Sequence, residues 1–135
     1  MADTGLRTVD VDASPMALYN ALLYSYPELE STTLLIDIGA KTCNLIYLEG
    51  KRMFTRSVAV GGASITTAIT KQYGISFSEA EARKCNNGLV ALNTAHTSQL
   101  SEDSAALATV IRNALSKLPA EIARTTNYFQ VFILE

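Results

Sequence analysis

Histidine is almost absent from this 135-residue chain: His96 stands alone in a polar stretch and reads as a surface residue. With one isolated histidine, no Ser-His-Asp or Cys-His arrangement can be assembled. No pair of acids stands at a recognisable general acid/base spacing, so no catalytic residue is assigned. Cysteine is scarce too. Cys43 and Cys85 lie far apart without a metal-ligand pattern, which suits reduced thiols in a cytosolic protein. The 11 basic residues form no cluster, and the net charge of −2 gives nucleic-acid binding no electrostatic support. No apolar run is long enough to cross a bilayer, no signal-peptide pattern opens the sequence, and no glycosylation sequon occurs. The expectation is one soluble, cytoplasmic domain that binds no nucleic acid and does not insert directly into a membrane.

What is present reads as alternating elements. Residues 6–11 alternate apolar with polar, as a half-buried strand would. Ser14 as N-cap and Pro15 at the first helical position open a helix carrying Met16, Leu18, Leu22 and Leu23 inward, which Pro27 ends at Tyr26. Tyr19, Tyr24 and Tyr26 read as a packed and partly exposed face of that helix. Three strands follow over 33–38, 43–48 and 52–60, joined by short turns into an antiparallel meander. A helix over 64–73 closes at Gly74. Ser76 and Glu79 mark the start of another over 79–85, stopped by Asn86-Asn87-Gly88. Residues 89–103 are small and polar and read as a mobile loop. From about Glu102, Leu107, Ile111, Leu115, Leu118 and Ile122 recur at helical spacing. Pro119 lies inside that run and predicts a kink or restart near Leu118, because proline in an unbroken helix costs about 3 kcal/mol. A buried strand over 129–134 is expected to close the chain. This mixture argues for an α/β layer structure.

One feature carries chemistry. The apolar run 34–38 is broken by a single carboxylate, Asp37, and the loop Gly39-Ala40-Lys41-Thr42 follows at once. A lone acid in an apolar strand is costly to bury unless something pairs with it. On the residues alone two readings stand level. Asp37 caps the turn at a strand end, or the acid, small-residue turn and hydroxyl form a phosphate site with its metal. Lys41 is most simply a loop-tip charge. Cys43, inside the next strand, reads as a small core hydrophobe; Cys85, beside Lys84, is the more reactive of the two thiols.

The segments IDIGAKTCNLIYLEG, FTRSVAVGGASITTAI and SEAEARK resemble the second nucleotide-binding lobe of the actin-like ATPase superfamily. Their combined wording is similar to the PilM family of type IV pilus assembly proteins, relatives of FtsA and MreB. The resemblance implies a ribonuclease-H-like, actin-like ATPase lobe: a mixed sheet containing the antiparallel meander, flanking helices and a small helical insertion. Asp37, Gly39 and Thr42 match its second phosphate motif, the acid handling magnesium through water and the loop, with Lys41, meeting the phosphates. Lys41 stands where many members have a second glycine, which makes the loop less free to wrap a phosphate. Gly61 and Gly62 match glycines lying close to the nucleotide. Glu81 and Lys84 match a pair reaching the ribose and adenine, and their spacing of three puts them on one helix face. Without the resemblance Gly61-Gly62 is a strand-to-helix turn, and Glu81–Lys84 a solvated pair worth about 0.3–0.5 kcal/mol.

The resemblance further implies a division of the chain. Residues 1–26 would be a strand and linker helix from the end of the first lobe. Residues 27–74 and 104–135 would be a truncated second-lobe core, and 75–103 a small inserted subdomain. Both ends look cut, and Leu134-Glu135 resembles a vector remnant. The parent would bind ATP and Mg between lobes and be a slow ATPase. It would dock the cytoplasmic tail of a PilN-like membrane protein, beside other pilus platform proteins, and so sit peripheral to the inner membrane. The alternatives are an FtsA- or MreB-like filament or membrane-anchor protein and a sugar-kinase-like phosphotransferase. This fragment alone would bind no ATP appreciably, be inactive, and self-associate through its open sheet edges.

Overall fold

The computed structural model describes residues 5, 7, 9–50, 52–91 and 93–132. Its strands β1 (Thr33–Ile38), β2 (Cys43–Glu49) and β3 (Arg52–Val58) form one sheet in the order β1-β2-β3. Both pairings are antiparallel; Ile38 faces Cys43 and Cys43 faces Val58 at one end, and Glu49 faces Arg52 at the other. Side chains alternate faces along a strand. The middle strand is apolar on both: Cys43, Leu45, Ile46, Tyr47 and Leu48 are all buried.

The helices are α1 (Ser14–Ser25), α2 (Gly62–Tyr73), α3 (Phe77–Asn87), α4 (Thr94–Thr97), α5 (Glu102–Leu115) and α6 (Lys117–Phe132). Helix α6 covers one sheet face, where Leu118 and Phe129 cluster with Cys43, Leu45, Tyr47, Val58 and Val60. The Tyr47 ring stacks on Phe129 with centroids 4.8 Å apart, and its hydroxyl lies 2.6 Å from that of Thr126. A second apolar cluster joins Ile69 of α2, Ala80 of α3, and Leu107 and Ile111 of α5. Leu115, the last residue of α5, packs against both clusters and ties the helices to the sheet layer. No helix among the described residues is long and apolar enough to cross a membrane.

Several boundaries follow local chemistry. Gly74 ends α2 in the left-handed conformation, φ +64°. Ser76 and Glu79 cap α3 reciprocally: the Ser76 amide donates to Glu79 Oε2 (2.9 Å) and the Glu79 amide to Ser76 Oγ (3.3 Å). This starts α3 at Phe77, two residues before the expected 79. The proline expectation also holds. A residue-119 amide would have bonded the carbonyl of Leu115, and α5 ends at Leu115 before α6 begins at Lys117.

Other expectations are corrected. The segment 129–134 is no strand as far as it is described: α6 continues to Phe132, and residues 133–135, including Leu134-Glu135, lie outside the described residues. Packing decides this: Leu118 and Phe129 of α6 cluster with the sheet, and the Phe129 ring stacks on Tyr47. Within 6–11, Leu6 and Thr8 lie outside the described residues; Val9–Val11 are not strand, and Val9 and Val11 are 87% and 83% exposed. The sheet is therefore wholly antiparallel among the described residues. The N-cap of α1 is Ala13 rather than Ser14, and Met16, Leu18, Leu22 and Leu23 are half-buried, none fully. The stretch 89–103 contains the short helix α4.

Candidate functional site

The register assigns Asp37 its partners. Asp37 faces Asn44 on β2, and Asn44 faces Ser57 on β3, so three polar side chains form a row across the sheet. Asn44 Nδ2 donates to Asp37 Oδ2 at 2.9 Å, and Ser57 Oγ donates to Asn44 Oδ1 at 2.6 Å. The carboxylate is thus half-buried without being orphaned, and one of its oxygens is oriented by a fixed amide.

The loop after β1 is held by the Gly39 amide donating to the Thr42 carbonyl at 2.9 Å. Among the described residues the amides of Ala40, Lys41 and Thr42 have no backbone partner. Three consecutive unengaged N–H groups beside a hydroxyl suit an anion. None of these residues has positive φ, so Lys41 occupies the second-glycine position without strain.

The loop rests on the start of α2. The Gly62 amide donates to the Gly39 carbonyl (3.0 Å) and the Ala63 amide to that of Ala40 (2.7 Å). Two of the helix's otherwise free amides are therefore engaged, and the open donors belong to the loop instead. Gly61 permits this approach. A Cβ there would stand 2.6 Å from the Gly39 oxygen and 2.7 Å from that of Ala40.

Helix α3 completes a cleft of about 280 Å³ lined by Ala40, Gly62, Ala63, Phe77, Glu81 and Lys84. Lys84 Nζ donates to Glu81 Oε2 (2.7 Å), to the hydroxyl of buried Thr66 (3.0 Å) and to the Gly62 carbonyl (3.4 Å). These bonds hold the ammonium beside the first turn of α2. The Glu81 carboxyl is held below the usual carboxylate range, first by the Lys84 hydrogen bond and then by that of Thr66. The cleft thus combines a cation, an ionised acceptor and an aromatic surface.

The predicted residues fall into three positions. Gly62, Glu81 and Lys84 line the cleft; Gly39 and Gly61 form the loop–helix contact; Asp37, Lys41 and Thr42 belong to the adjoining strand and loop and do not line the cleft. Sequence reasoning missed Asn44, Ser57, Thr66 and Phe77. The strand register could have supplied the first two, since the hairpin lengths place Asn44 opposite Asp37 and Ser57 opposite Asn44. A separate cleft of about 360 Å³ lies between β3 and α6, lined by Phe54, Arg56, Arg124, Thr125 and Tyr128. There Glu121 accepts from both Arg56 and Arg124, and Arg56 also donates to Thr125, a network joining helix to strand.

The family model for type IV pilus assembly protein PilM matches residues 2–123. The chain belongs to the PilM family. It is also similar to a chain of a solved PilM-PilN type IV pilus biogenesis complex, at 25% identity and a TM-score of 0.76, over 98% of this chain and 35% of that one. Ethanolamine utilization protein EutJ from Carboxydothermus hydrogenoformans is 20% identical with a TM-score of 0.66, over 97% of this chain and 41% of EutJ. The fold is that of the actin-like ATPases. This PilM-family chain spans about a third of the matched chain of that complex and two-fifths of EutJ. Its family membership supports a role in type IV pilus assembly.

Proposed function

We propose that this chain forms one wall of a nucleotide cleft in a two-lobed, ATP-binding pilus assembly protein, and that nucleotide state sets how the lobes close. The observation that carries this reading is the meeting of three elements at one place. The β1–β2 loop offers unengaged amides, the start of α2 rests on that loop, and α3 holds Lys84 and Glu81 over the same turn of α2. The donor set fits Mg-ATP. Loop amides, Lys41 and the Thr42 hydroxyl suit phosphate oxygens, and Glu81 with Lys84 suits the ribose and base. Asp37 is a single hard oxygen ligand, which suits a magnesium held mainly by water and phosphates. When bound, Mg-ATP would supply a polyanion that both lobes can grip.

Closure around such a ligand changes which surfaces face a partner, and a ligand shifts that equilibrium only by its differential affinity for the two states. One solved relative is a chain of a PilM-PilN complex. We assign this protein a PilN-like partner on that basis, with docking strength dependent on bound nucleotide. Residues 75–103 would act as an inserted subdomain carrying the ribose and base contacts.

The test is ATP binding by the intact protein with and without Asp37→Ala, by calorimetry in excess Mg. The expected result is Mg-dependent binding that the substitution weakens at least tenfold. Binding that is absent, or unmoved by Asp37→Ala, would defeat the reading.

A further inference from the structure

Phe77 is 53% exposed at the first position of α3. Nothing in the fold accounts for a large aromatic there. The helix start is secured without it by the Ser76–Glu79 box. Ile75, just before the cap, and Ala80, one turn on, both belong to the α2–α3–α5 apolar cluster, the pairing of a hydrophobic staple. Phe77 joins neither arrangement. It lines the cleft instead, and Phe77, Glu81 and Lys84 stand at i, i+4 and i+7 along α3, one stripe facing the start of α2.

The order of chemistry along that stripe is specific. An exposed π-face comes first, an ionised acceptor one turn later, and an ammonium two turns on, about 10 Å away along the helix axis. A nucleoside presents the complementary series: a flat base, and ribose hydroxyls that can donate to Glu81 and accept from Lys84. The cleft volume of about 280 Å³ is at the small end for ligand pockets, so it suits the nucleoside part, with the phosphates reaching the β1–β2 loop.

We propose that Phe77 is the wall on which the nucleotide base stacks, and so the residue that makes this cleft select nucleotides over bare polyphosphates. The assignment rests on the nucleotide reading above and adds a residue to it. Stacking on one aromatic is sequence-tolerant, since every base has a π-face. Phe77 therefore strengthens binding of ATP and GTP alike, and hydrogen bonding elsewhere must discriminate between them.

The experiment compares ATP and inorganic tripolyphosphate binding to the intact protein carrying Phe77→Ala, Phe77→Leu or Phe77→Trp. Phe77→Ala is expected to weaken ATP binding by about 5- to 150-fold, the range one base–aromatic stack supplies, and to leave tripolyphosphate unchanged. Phe77→Leu keeps apolar bulk without the π-face and should also weaken ATP binding. Phe77→Trp should retain it. Residues 1–135 contain no tryptophan, so this chain adds no background to the new indole, which ATP should quench and tripolyphosphate should not. Equal losses for both ligands, or ATP affinity within twofold in Phe77→Ala while Asp37→Ala still weakens it, would overturn the base-wall assignment alone. Absence of ATP binding in the unsubstituted protein would overturn the nucleotide reading and this assignment together.

Discussion

Replacing Gly61 with alanine tests whether the β1–β2 loop and the start of α2 act as one rigid contact. Gly61 has φ −165°, extended backbone that any residue adopts, so the substitution carries no conformational penalty of its own. Its methyl carbon would stand 2.6 Å from the Gly39 oxygen, 2.7 Å from the Ala40 oxygen and 2.8 Å from the Ala40 carbonyl carbon. All three are backbone atoms. No side chain can rotate aside, and the loop itself must move. Overpacking of this kind costs about 1–3 kcal/mol. Displacing the loop also breaks the hydrogen bonds from Gly62 to Gly39 and from Ala63 to Ala40, each contributing about 0.5–1.5 kcal/mol. The expected loss is about 2–6 kcal/mol, a large part of the roughly 5–15 kcal/mol that stabilises a typical domain. Urea unfolding followed by circular dichroism reads it. With an m-value of roughly 1–3 kcal/mol per M, the midpoint should fall by about 0.7 M or more. Gly50→Ala is the control: its φ is +55° with no atom within 4 Å of the added carbon, so its cost of about 1–2 kcal/mol is purely conformational. A Gly61→Ala variant as stable as Gly50→Ala, or more so, would refute the steric argument.

Three further predictions concern titratable groups. A thiol reagent at neutral pH should modify exposed Cys85 and spare buried Cys43, whose thiol pKa is pushed up by burial and then by the Asp37 carboxylate; equal rates would contradict this. Because the folded Cys43 pKa is raised, its contribution to stability is complete below the ordinary thiol value of about 8.5 and is lost as pH rises through the folded value. Cys43→Ala should accordingly flatten the alkaline fall of the urea midpoint. Glu81 has the opposite sign. Its folded pKa is lowered by Lys84 and Thr66, so its contribution is present above the unfolded carboxyl value of about 4.3 and disappears as pH falls through the folded one. The midpoint difference between the native protein and Glu81→Gln should be full above about pH 4.3 and shrink as pH falls through the lowered folded value; a pH-independent difference would exclude the ionised Lys84–Glu81 contact as its source.

The elements legible in the sequence are those whose cause is local. Gly74, the Ser76–Glu79 box and the break imposed by Pro119 each act within about one helical turn, and the turn before β3 needs only Gly50 at positive φ. The segment around Phe129 was misread because its pattern satisfies two periods. Phe129 and Val131 alternate as a strand would, while Leu118, Ile122 and Phe129 also fit a helix. Period alone does not choose between them; the stack of Phe129 on Tyr47, 82 positions earlier in the chain, accompanies the helical solution. Val9–Val11 are not strand for a related reason, since alternation describes a strand only where another strand supplies hydrogen bonds.

By itself the sequence determined that an acid, a glycine and a hydroxyl meet around the β1–β2 loop, because Asp37, Gly39 and Thr42 lie within six residues of one another. It also determined the spacing of Glu81 and Lys84 on one helix face. Which groups those residues meet was decided only in three dimensions. Asn44 reaches Asp37, and Ser57 reaches Asn44, through strand register, Thr66 reaches Lys84 through the packing of α2 on α3, and Gly61 matters because a loop lies against it. Hydrogen bonds and van der Waals contacts act over a few ångströms, and the chain separations they bridge here run from 7 to 22 residues.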